Sequence, residues 1–267
     1  MATSTRPRAV VTGASSGIGA DIARELAARG FDLVLAARRQ DRLLALADEI
    51  RNGTRGDPVD VECVAVDLSA PDGPAQLWER ATARGGKVHA VVNNAAFGEH
   101  AVFERVPWAR YDEMLHLNLR ALTELTWLAV GHMRSHGERS YVLQVASIGG
   151  HQPTGWFAVY AATKSYVRDF SAALGFELKG TPVTVTCLSP GGTLTEFTDV
   201  AHVQLGAIGR LSMMASRPVA RAGVRGMLAG RREVVPGFVN KLAVLLAKFM
   251  PRWMVIRSAA GLLGRPK

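Results

Sequence analysis

Short apolar runs alternate with longer amphipathic segments along most of the chain. The runs are RAVVT, FDLVLAA, VDVECVAV, VHAVVNN, SYVLQVA and PVTVTCLS, and a helical or Ala-rich pattern follows each of them. Nearly continuous apolar runs separated by segments of helix length predict parallel strands with helices on both faces of the sheet. The sequence therefore predicts an α/β fold with a doubly wound parallel sheet and right-handed connections.

The chain is predicted to form one domain. Its 267 residues are 48% hydrophobic, which is enough for a sizeable core, and no linker or repeat divides residues 1–267. Cys63 and Cys187 lie within apolar runs, which indicates buried thiols in a reducing compartment. No signal-peptide pattern and no run of about 18 apolar residues occurs, so a cytoplasmic location is expected.

The positive charge is concentrated near the end of the sequence. The formal net charge is +9, and residues 231–267 contain eight lysines and arginines with Glu233 as their one acidic residue. Such a segment can bind nucleic acid, an anionic membrane or an acidic substrate. The rest of the chain has no stripe of basic and aromatic residues and no zinc-ligand spacing, so neither nucleic acid nor a metal ion is expected as a partner.

A glycine-rich turn follows the first predicted strand. RAVVT runs directly into GASSGIG, whose glycines are Gly13, Gly17 and Gly19, and a helical pattern comes next. Glycine permits a tight turn and a close approach of the backbone to a ligand, while the N–H groups at the start of a helix attract a pyrophosphate. Because it stands between a strand and a helix, this turn indicates a dinucleotide site.

The spacing of TGASSGIG differs from G-x-G-x-x-G and resembles the short-chain dehydrogenase/reductase family. Further motifs of that family follow in order: Asp67 in VDL, NNAA at 93–96, Asn118 in HLNLRAL, Ser147 after a strand, YAATK at 160–164 and PGGTLT at 190–195. Ala96 departs from the glycine of the family's NNAG. The resemblance covers about residues 8–200 and implies a single-domain Rossmann fold, a nicotinamide cofactor and an oxidoreductase.

Tyr160 and Lys164 are the central catalytic candidates. Four residues apart on a predicted helix, they share one face, and a phenol donates a proton to a ketone more readily beside a cation. Alone, such a pair is usually a surface pair. The resemblance implies that Tyr160 is the acid/base, that Lys164 activates it and binds the nicotinamide ribose, that Ser147 holds the substrate oxygen, and that Asn118 belongs to a proton relay.

The cofactor preference depends on LVLAARRQDRL, where Arg38 stands in place of an acidic residue. A carboxylate there would repel a 2′-phosphate, whereas Arg38 can bind one, so NADP(H) is expected over NAD(H). The alternative is that Arg38 and Arg39 cap or solvate the next helix. The cofactor-binding residues expected from motif and resemblance are Gly13, Ser15, Ser16, Gly17, Ile18, Gly19, Arg38, Asp67, Leu68, Asn94, Ala95, Tyr160, Lys164, Pro190, Gly191 and Thr195.

The substrate pocket is expected to be apolar. Its candidate residues are Phe97, His151, Trp156, Phe157 and Leu194, which favour an acyl, steroid or aryl ketone and its alcohol. Each of these side chains can equally pack within the fold. A rival function is a dinucleotide-binding redox sensor without turnover, but the complete serine, tyrosine and lysine set favours an enzyme.

Residues 237–267 form a basic amphipathic extension. Leu242, Leu245, Leu246 and Phe249 recur at helical spacing before Pro251. Such a segment can lie on an anionic membrane; alternatively it covers the pocket or packs on the same chain or another subunit. The resemblance also implies a homodimer or homotetramer that forms through the helices bearing Asn118 and Tyr160.

Overall fold

The structure, a computed structural model, describes residues 6–53, 58–83, 86–202 and 213–266. The strands within these ranges are β1 (Arg8–Thr12), β2 (Asp32–Ala37), β3 (Val61–Ala65), β4 (Val88–Asn93), β5 (Ser140–Val145), β6 (Val183–Leu188), β7 (Thr193–Leu194), β8 (Met214–Ala215) and β9 (Glu233–Val234). Seven of them form one parallel sheet in the order β3-β2-β1-β4-β5-β6-β9, and β7 pairs with β8. The prediction of a single doubly wound α/β domain is confirmed.

Helices cover both faces of this sheet. In the described residues they are α1 (Gly17–Ala27), α2 (Gln40–Gly53), α3 (Gly73–Thr82), α4 (Trp108–Leu115), α5 (Leu122–His136), α6 (Ala158–Glu177), α7 (Phe197–Val200), α8 (Ser216–Leu228), α9 (Phe238–Ala247) and α10 (Arg252–Leu263). A π-helical segment, His116–Ala121, joins α4 to α5. None of the helices described is long and apolar enough to cross a bilayer.

The strands are apolar on both faces because each face packs against helices. In β1, Val11 belongs to the core formed with α1 and α8, whereas Val10 belongs to the core formed with α3 and α5. Both valines are fully buried, and a buried side chain of this size contributes about 1.5–3 kcal/mol to folding. The strand order reverses between β1 and β4, and such a switch point opens a crevice at the carboxyl ends of the strands.

Candidate active site

A cavity of about 520 Å³ lies at this switch point. The glycine turn after β1, the ends of β2 and β3, and the loop after β4 line one part of it. The segment after β5, the start of α6, the segment after β6 and the end of α10 line most of the rest. Because parallel strands end on the same edge of a sheet, residues far apart in sequence meet here.

The glycine turn has the backbone geometry that its sequence predicts. Gly13 and Gly17 adopt left-handed φ values of +64° and +55°, which glycine accommodates without steric cost. Gly19 is required by close packing instead, because a Cβ there would lie 2.3 Å from the Gly13 carbonyl oxygen. The turn leads into the N-terminus of α1, so it fits the pyrophosphate of a dinucleotide. Cavity-lining residues of the turn are Gly13, Ser15, Ser16, Gly17 and Ile18.

Thr12 and Asn94 hold the glycine turn against the end of β4. The Thr12 hydroxyl donates to the Val92 carbonyl at 3.0 Å and accepts from the backbone N–H groups of Asn94 and Ala95 at 2.9 and 3.1 Å. The Asn94 Nδ2 donates to the carbonyls of Thr12 and Gly13 at 3.0 and 3.2 Å. Asn94 therefore supports the turn through its side chain, and Thr12 is a site residue that sequence reasoning missed.

The ends of β2 and β3 supply the opposite wall of this half. Asp67 and Leu68 line the cavity, and the Asp67 carboxylate accepts from the backbone and hydroxyl of Ser69 at 2.9 and 2.7 Å. Arg38 also lines the cavity, and its exposed guanidinium donates to Glu113 at 3.2 Å. Because Asp67 and Arg38 are both exposed while they line the cavity, both sit at its rim.

A second arginine lies closer to the glycine turn. Arg39 Nη2 donates to the hydroxyls of Ser15 and Ser16 at 3.1 Å each and to the Glu196 carboxylate at 2.8 Å. Arg42 also pairs with Glu196, and hydrogen bonds from Arg42 and Arg39 lower the pKa of that carboxyl to about 2. Glu196 thus connects the loop after β6 to the arginines after β2, a link that sequence analysis did not anticipate.

Tyr160, Lys164 and Ser147 face the cavity together. Tyr160 and Lys164 lie on α6, both are buried, and the Lys164 Nζ lies 5.8 Å from the centre of the Tyr160 ring. Lys164 Nζ also donates to the Val145 carbonyl at 2.8 Å, which fixes the ammonium at the end of β5. Ser147 follows that strand, and its hydroxyl accepts from the Gly149 N–H at 3.1 Å. The helical spacing and the strand end therefore bring all three into one site.

Burial governs the ionisation of this set. It raises the pKa of Tyr160 well above its ordinary value, and a hydrogen bond with Ser147 opposes that rise. Burial lowers the pKa of Lys164 to about 8. Desolvation of the buried phenolate, rather than the cation at Lys164, decides the direction of the Tyr160 shift. Tyr160 consequently remains protonated at neutral pH and is suited to donate a proton.

Asn118 is buried next to the site and is bonded in three directions. Its Oδ1 accepts from the Phe97 N–H at 3.2 Å, and its Nδ2 donates to the Phe97 carbonyl at 2.9 Å and to the Thr163 hydroxyl at 3.1 Å. The amide therefore ties the loop after β4 to α6 one residue before Lys164. Asn118 lies within the π-helical segment, a feature common at functional sites, and its place in a proton relay stays a prediction.

Phe97 and Phe157 line the part of the cavity near Tyr160. The Phe157 and Tyr160 rings stack with centroids 4.4 Å apart, and the Arg110 guanidinium lies 3.9 Å above the Phe97 ring. Further apolar lining residues are Leu117, Val200, Met213, Leu262 and Leu263. Pro190, Gly191 and Thr195 line the boundary between this region and the glycine turn. This half of the cavity is suited to an apolar ligand.

Three expected pocket residues lie outside the cavity lining. The His151 Nε2 lies 3.2 Å from the Ser189 hydroxyl and 3.1 Å from the Glu233 carboxylate instead. The Trp156 ring lies 5.7 Å from the Arg265 guanidinium. Alternation in β7 turns Leu194 to solvent, 63% exposed, while Thr193 and Thr195 line the cavity. A substrate contact by these three side chains stays a prediction.

The fold and the site define a class. A doubly wound sheet with a dinucleotide-binding turn at its switch point and a buried tyrosine–lysine pair in the same cavity is the architecture of a nicotinamide-dependent oxidoreductase. The model of the short chain dehydrogenase family matches residues 7–204. The chain belongs to this family, and it is an oxidoreductase.

Relatives and solved structures agree with this assignment. An uncharacterized oxidoreductase of Myxococcus xanthus is 31% identical over 253 residues, which cover 94% of this chain and 95% of the relative. A very-long-chain 3-oxoacyl-CoA reductase of Phaeosphaeria nodorum is 31% identical over 183 residues, 67% of this chain and 53% of that protein. A short-chain dehydrogenase from Sphingobium yanoikuyae in complex with NADPH superposes with a TM-score of 0.78 at 27% identity, over 91% of this chain and 93% of that one.

Proposed function

We propose that the protein is an NADP(H)-dependent oxidoreductase that interconverts a ketone and a secondary alcohol on an apolar acyl, steroid or aryl molecule. The observation that carries this proposal is the single cavity that Tyr160, Lys164 and Ser147 share with the glycine turn at one end and with apolar side chains at the other. The relative named as a 3-oxoacyl-CoA reductase supports an apolar acyl substrate.

Each side chain of the set has a separate task in ketone reduction. A nicotinamide dinucleotide bound along the glycine turn would supply the hydride. Ser147 donates a hydrogen bond to the carbonyl oxygen and orients it. Tyr160 transfers its phenolic proton to that oxygen as negative charge develops there, and Lys164, positively charged below about pH 8, stabilises the phenolate that remains. In alcohol oxidation the phenolate accepts the proton back.

The preference for NADP(H) is supported by positive charge where the ribose 2′-position is expected. Arg38 and Arg39 line the cavity after β2, no acidic residue stands at the end of that strand, and Arg39 reaches Ser15 in the glycine turn. A planar guanidinium binds a phosphate through two parallel hydrogen bonds. The NADPH complex of the Sphingobium yanoikuyae protein is consistent with this preference.

The decisive experiment follows NADPH and NADH oxidation with a panel of 3-oxoacyl thioesters, steroids, aryl ketones and diketones. Tyr160→Phe should lower kcat/KM about 10²- to 10⁴-fold, because it removes the proton donor and leaves the ring. Tyr166→Phe is the matched control on the same helix; Tyr166 is exposed and bonded to the Thr123 hydroxyl at 2.9 Å. Tight NADPH binding without turnover on any of these substrate classes would refute the proposed ketone reduction and favour a redox sensor.

A homodimer or homotetramer belongs to the same proposal. Trp127 lies on α5, which continues the π-helical segment of Asn118, and Phe176 lies on α6, the helix of Tyr160; both are large exposed apolar side chains. Burial of such side chains between subunits would stabilise an assembly. Sedimentation velocity at several protein concentrations is the test, and a monomer at every concentration would refute it. A cytoplasmic location remains a prediction from the sequence.

A further inference from the structure

Helix α9 exposes nearly all of its apolar side chains. Phe238 and Phe249, at its start and just past its end, are each 81% exposed, and Leu242, Leu245 and Leu246 between them are exposed as well. Asn240 is the buried side chain of this helix. An exposed apolar surface of this length marks a contact with another molecule or a membrane.

The exposed side chains of α9 share one face of the helix. Phe238, Leu242, Leu245, Leu246 and Phe249 recur at the spacing that places residues on a single stripe. Lys241 and Lys248, seven residues apart, lie together along one border of that stripe. Helix α10 also exposes apolar side chains, namely Trp253, Met254 and Ile256. We call these exposed apolar side chains of α9 and α10 the apolar face.

Charge distinguishes between the molecules that could cover this face. The chain has no aspartate or glutamate after Glu233, and the segment that forms α9 and α10 and their flanks contains Lys241, Lys248, Arg252, Arg257 and Arg265. Two copies packed through this face would bring positive charge against positive charge, which is unfavourable. An anionic phospholipid surface offers the complementary charge together with an apolar layer for the face.

The apolar face also borders the active site. Ala259, Leu262 and Leu263 of α10 line the cavity, and Leu262 is at the same time 43% exposed. On α9, Asn240 packs so closely on Gly191 that a Cβ there would lie 2.4 Å from its amide. The two helices are therefore attached to the cavity wall, and the mouth of the cavity lies beside the face.

We propose that α9 and α10 dock the protein in the plane of an anionic phospholipid surface. The apolar face lies at the boundary of head groups and acyl chains, and the lysines and arginines contact lipid phosphates. The cavity then opens next to the lipid, so an apolar ketone enters from the bilayer. The docking stands independently of the proposed function, whereas the entry route rests on it.

Vesicle co-sedimentation of the full chain tests the docking. The protein should pellet with vesicles of phosphatidylcholine and phosphatidylglycerol, pellet far less with phosphatidylcholine alone, and dissociate as salt is raised. The double variant Phe238→Asp/Phe249→Asp should weaken binding at least about tenfold on anionic vesicles. Both side chains are exposed, so the variant is expected to fold, and its circular dichroism and NADPH binding check this.

A charge variant supplies an independent arm. Lys241→Gln/Lys248→Gln should lower the partition coefficient on anionic vesicles about 25-fold, because each basic residue near such a surface contributes about a factor of five. The matched control is Arg217→Gln/Arg225→Gln, which removes the same charge from exposed positions of α8 and should bind like the wild type. An equal loss in both pairs would refute specific docking through α9.

Two further results would overturn the proposal. One is that the full chain stays in the supernatant with anionic vesicles. The other is that sedimentation velocity shows an oligomer for the wild type and a smaller species for the Phe238→Asp/Phe249→Asp variant, which would identify the face as a contact between copies.

The entry route has its own test with the same variant. Its kcat/KM should fall toward a ketone dissolved in vesicles and stay unchanged toward a water-soluble ketone. An equal effect on both ketones would refute that route.

Discussion

Gly19→Ala tests whether the glycine turn is close-packed, as the structure has it. A methyl group at this position would lie 2.3 Å from the Gly13 carbonyl oxygen and 2.5 Å from the Asn94 Nδ2. Both atoms are fixed, because that amide donates to the carbonyls of Thr12 and Gly13. Relief of the clash requires movement of the turn and the loss of at least one of these bonds.

The expected cost follows from this geometry. Overpacking against backbone destabilises a protein by about 1–3 kcal/mol, and a lost buried hydrogen bond adds about 1 kcal/mol. The intrinsic preference of a helix for alanine returns about 1 kcal/mol. Gly19→Ala should therefore lower the free energy of unfolding by about 1–3 kcal/mol. Because the turn moves, the Kd for NADPH should rise about tenfold or more.

Urea unfolding and NADPH fluorescence titration measure the two effects. Gly131→Ala is the matched control, since Gly131 is an exposed residue of α5 with open space around its added methyl. It should raise the free energy of unfolding by about 0.5–1 kcal/mol and leave NADPH binding unchanged. If Gly19→Ala were as stable as Gly131→Ala and bound NADPH equally well, the close-packed turn would be refuted.

Four other changes have defined outcomes. Arg38→Asp should shift the kcat/KM ratio toward NADH, and an unchanged ratio would assign recognition of the phosphate to another residue. Glu196→Gln removes exposed ion pairs with Arg39 and Arg42, each stabilising by about 0–1 kcal/mol, and so frees these arginines for the 2′-phosphate. The Kd for NADPH should fall about two- to fivefold while that for NADH stays constant; equal changes would contradict competition between Glu196 and the phosphate. Asn118→Ala leaves buried backbone groups of Phe97 unpaired and should lower the free energy of unfolding by about 2–4 kcal/mol in urea titrations; a loss below 1 kcal/mol would contradict these bonds. Burial, with neighbouring histidines, lowers the pKa of His132, so the unfolded state binds more protons and the free energy of unfolding should fall as pH drops below about 6.5. This pH dependence should weaken in His132→Gln, and an unchanged dependence would assign it to other residues.

The parts of the fold that could be predicted are those that local sequence determines. The six apolar runs correspond to β1 to β6, because strands covered on both faces are apolar at most positions instead of alternating. The glycine turn and the pair of Tyr160 and Lys164 could also be predicted from the sequence, because the spacing along one turn or one helix fixes their relative positions. Such features do not depend on distant partners.

Local patterns do not determine the direction of side chains or the partners they find across the fold. The phase of the two-residue strand β7 turns Leu194 to solvent, and His151 contacts Glu233 of β9 instead of lining the cavity. Arg39, between β2 and α2, donates to the Ser15 hydroxyl in the glycine turn. Because Arg38 and Arg39 are adjacent, the sequence alone could not tell which of them contacts that turn. These contacts join residues that are far apart in the chain, so no local pattern encodes them.

The two halves of the cavity are held by different forces, and this division has a consequence for specificity. Directional hydrogen bonds fix the cofactor and catalytic half: Thr12 and Asn94 hold the turn, and Asn118 and Thr163 hold the loop against α6. The other half is bounded by apolar side chains of α7 and α10, whose contacts impose no single geometry. Substitutions in the first half should therefore abolish catalysis for every ketone, whereas substitutions in the second should change which ketone is accepted.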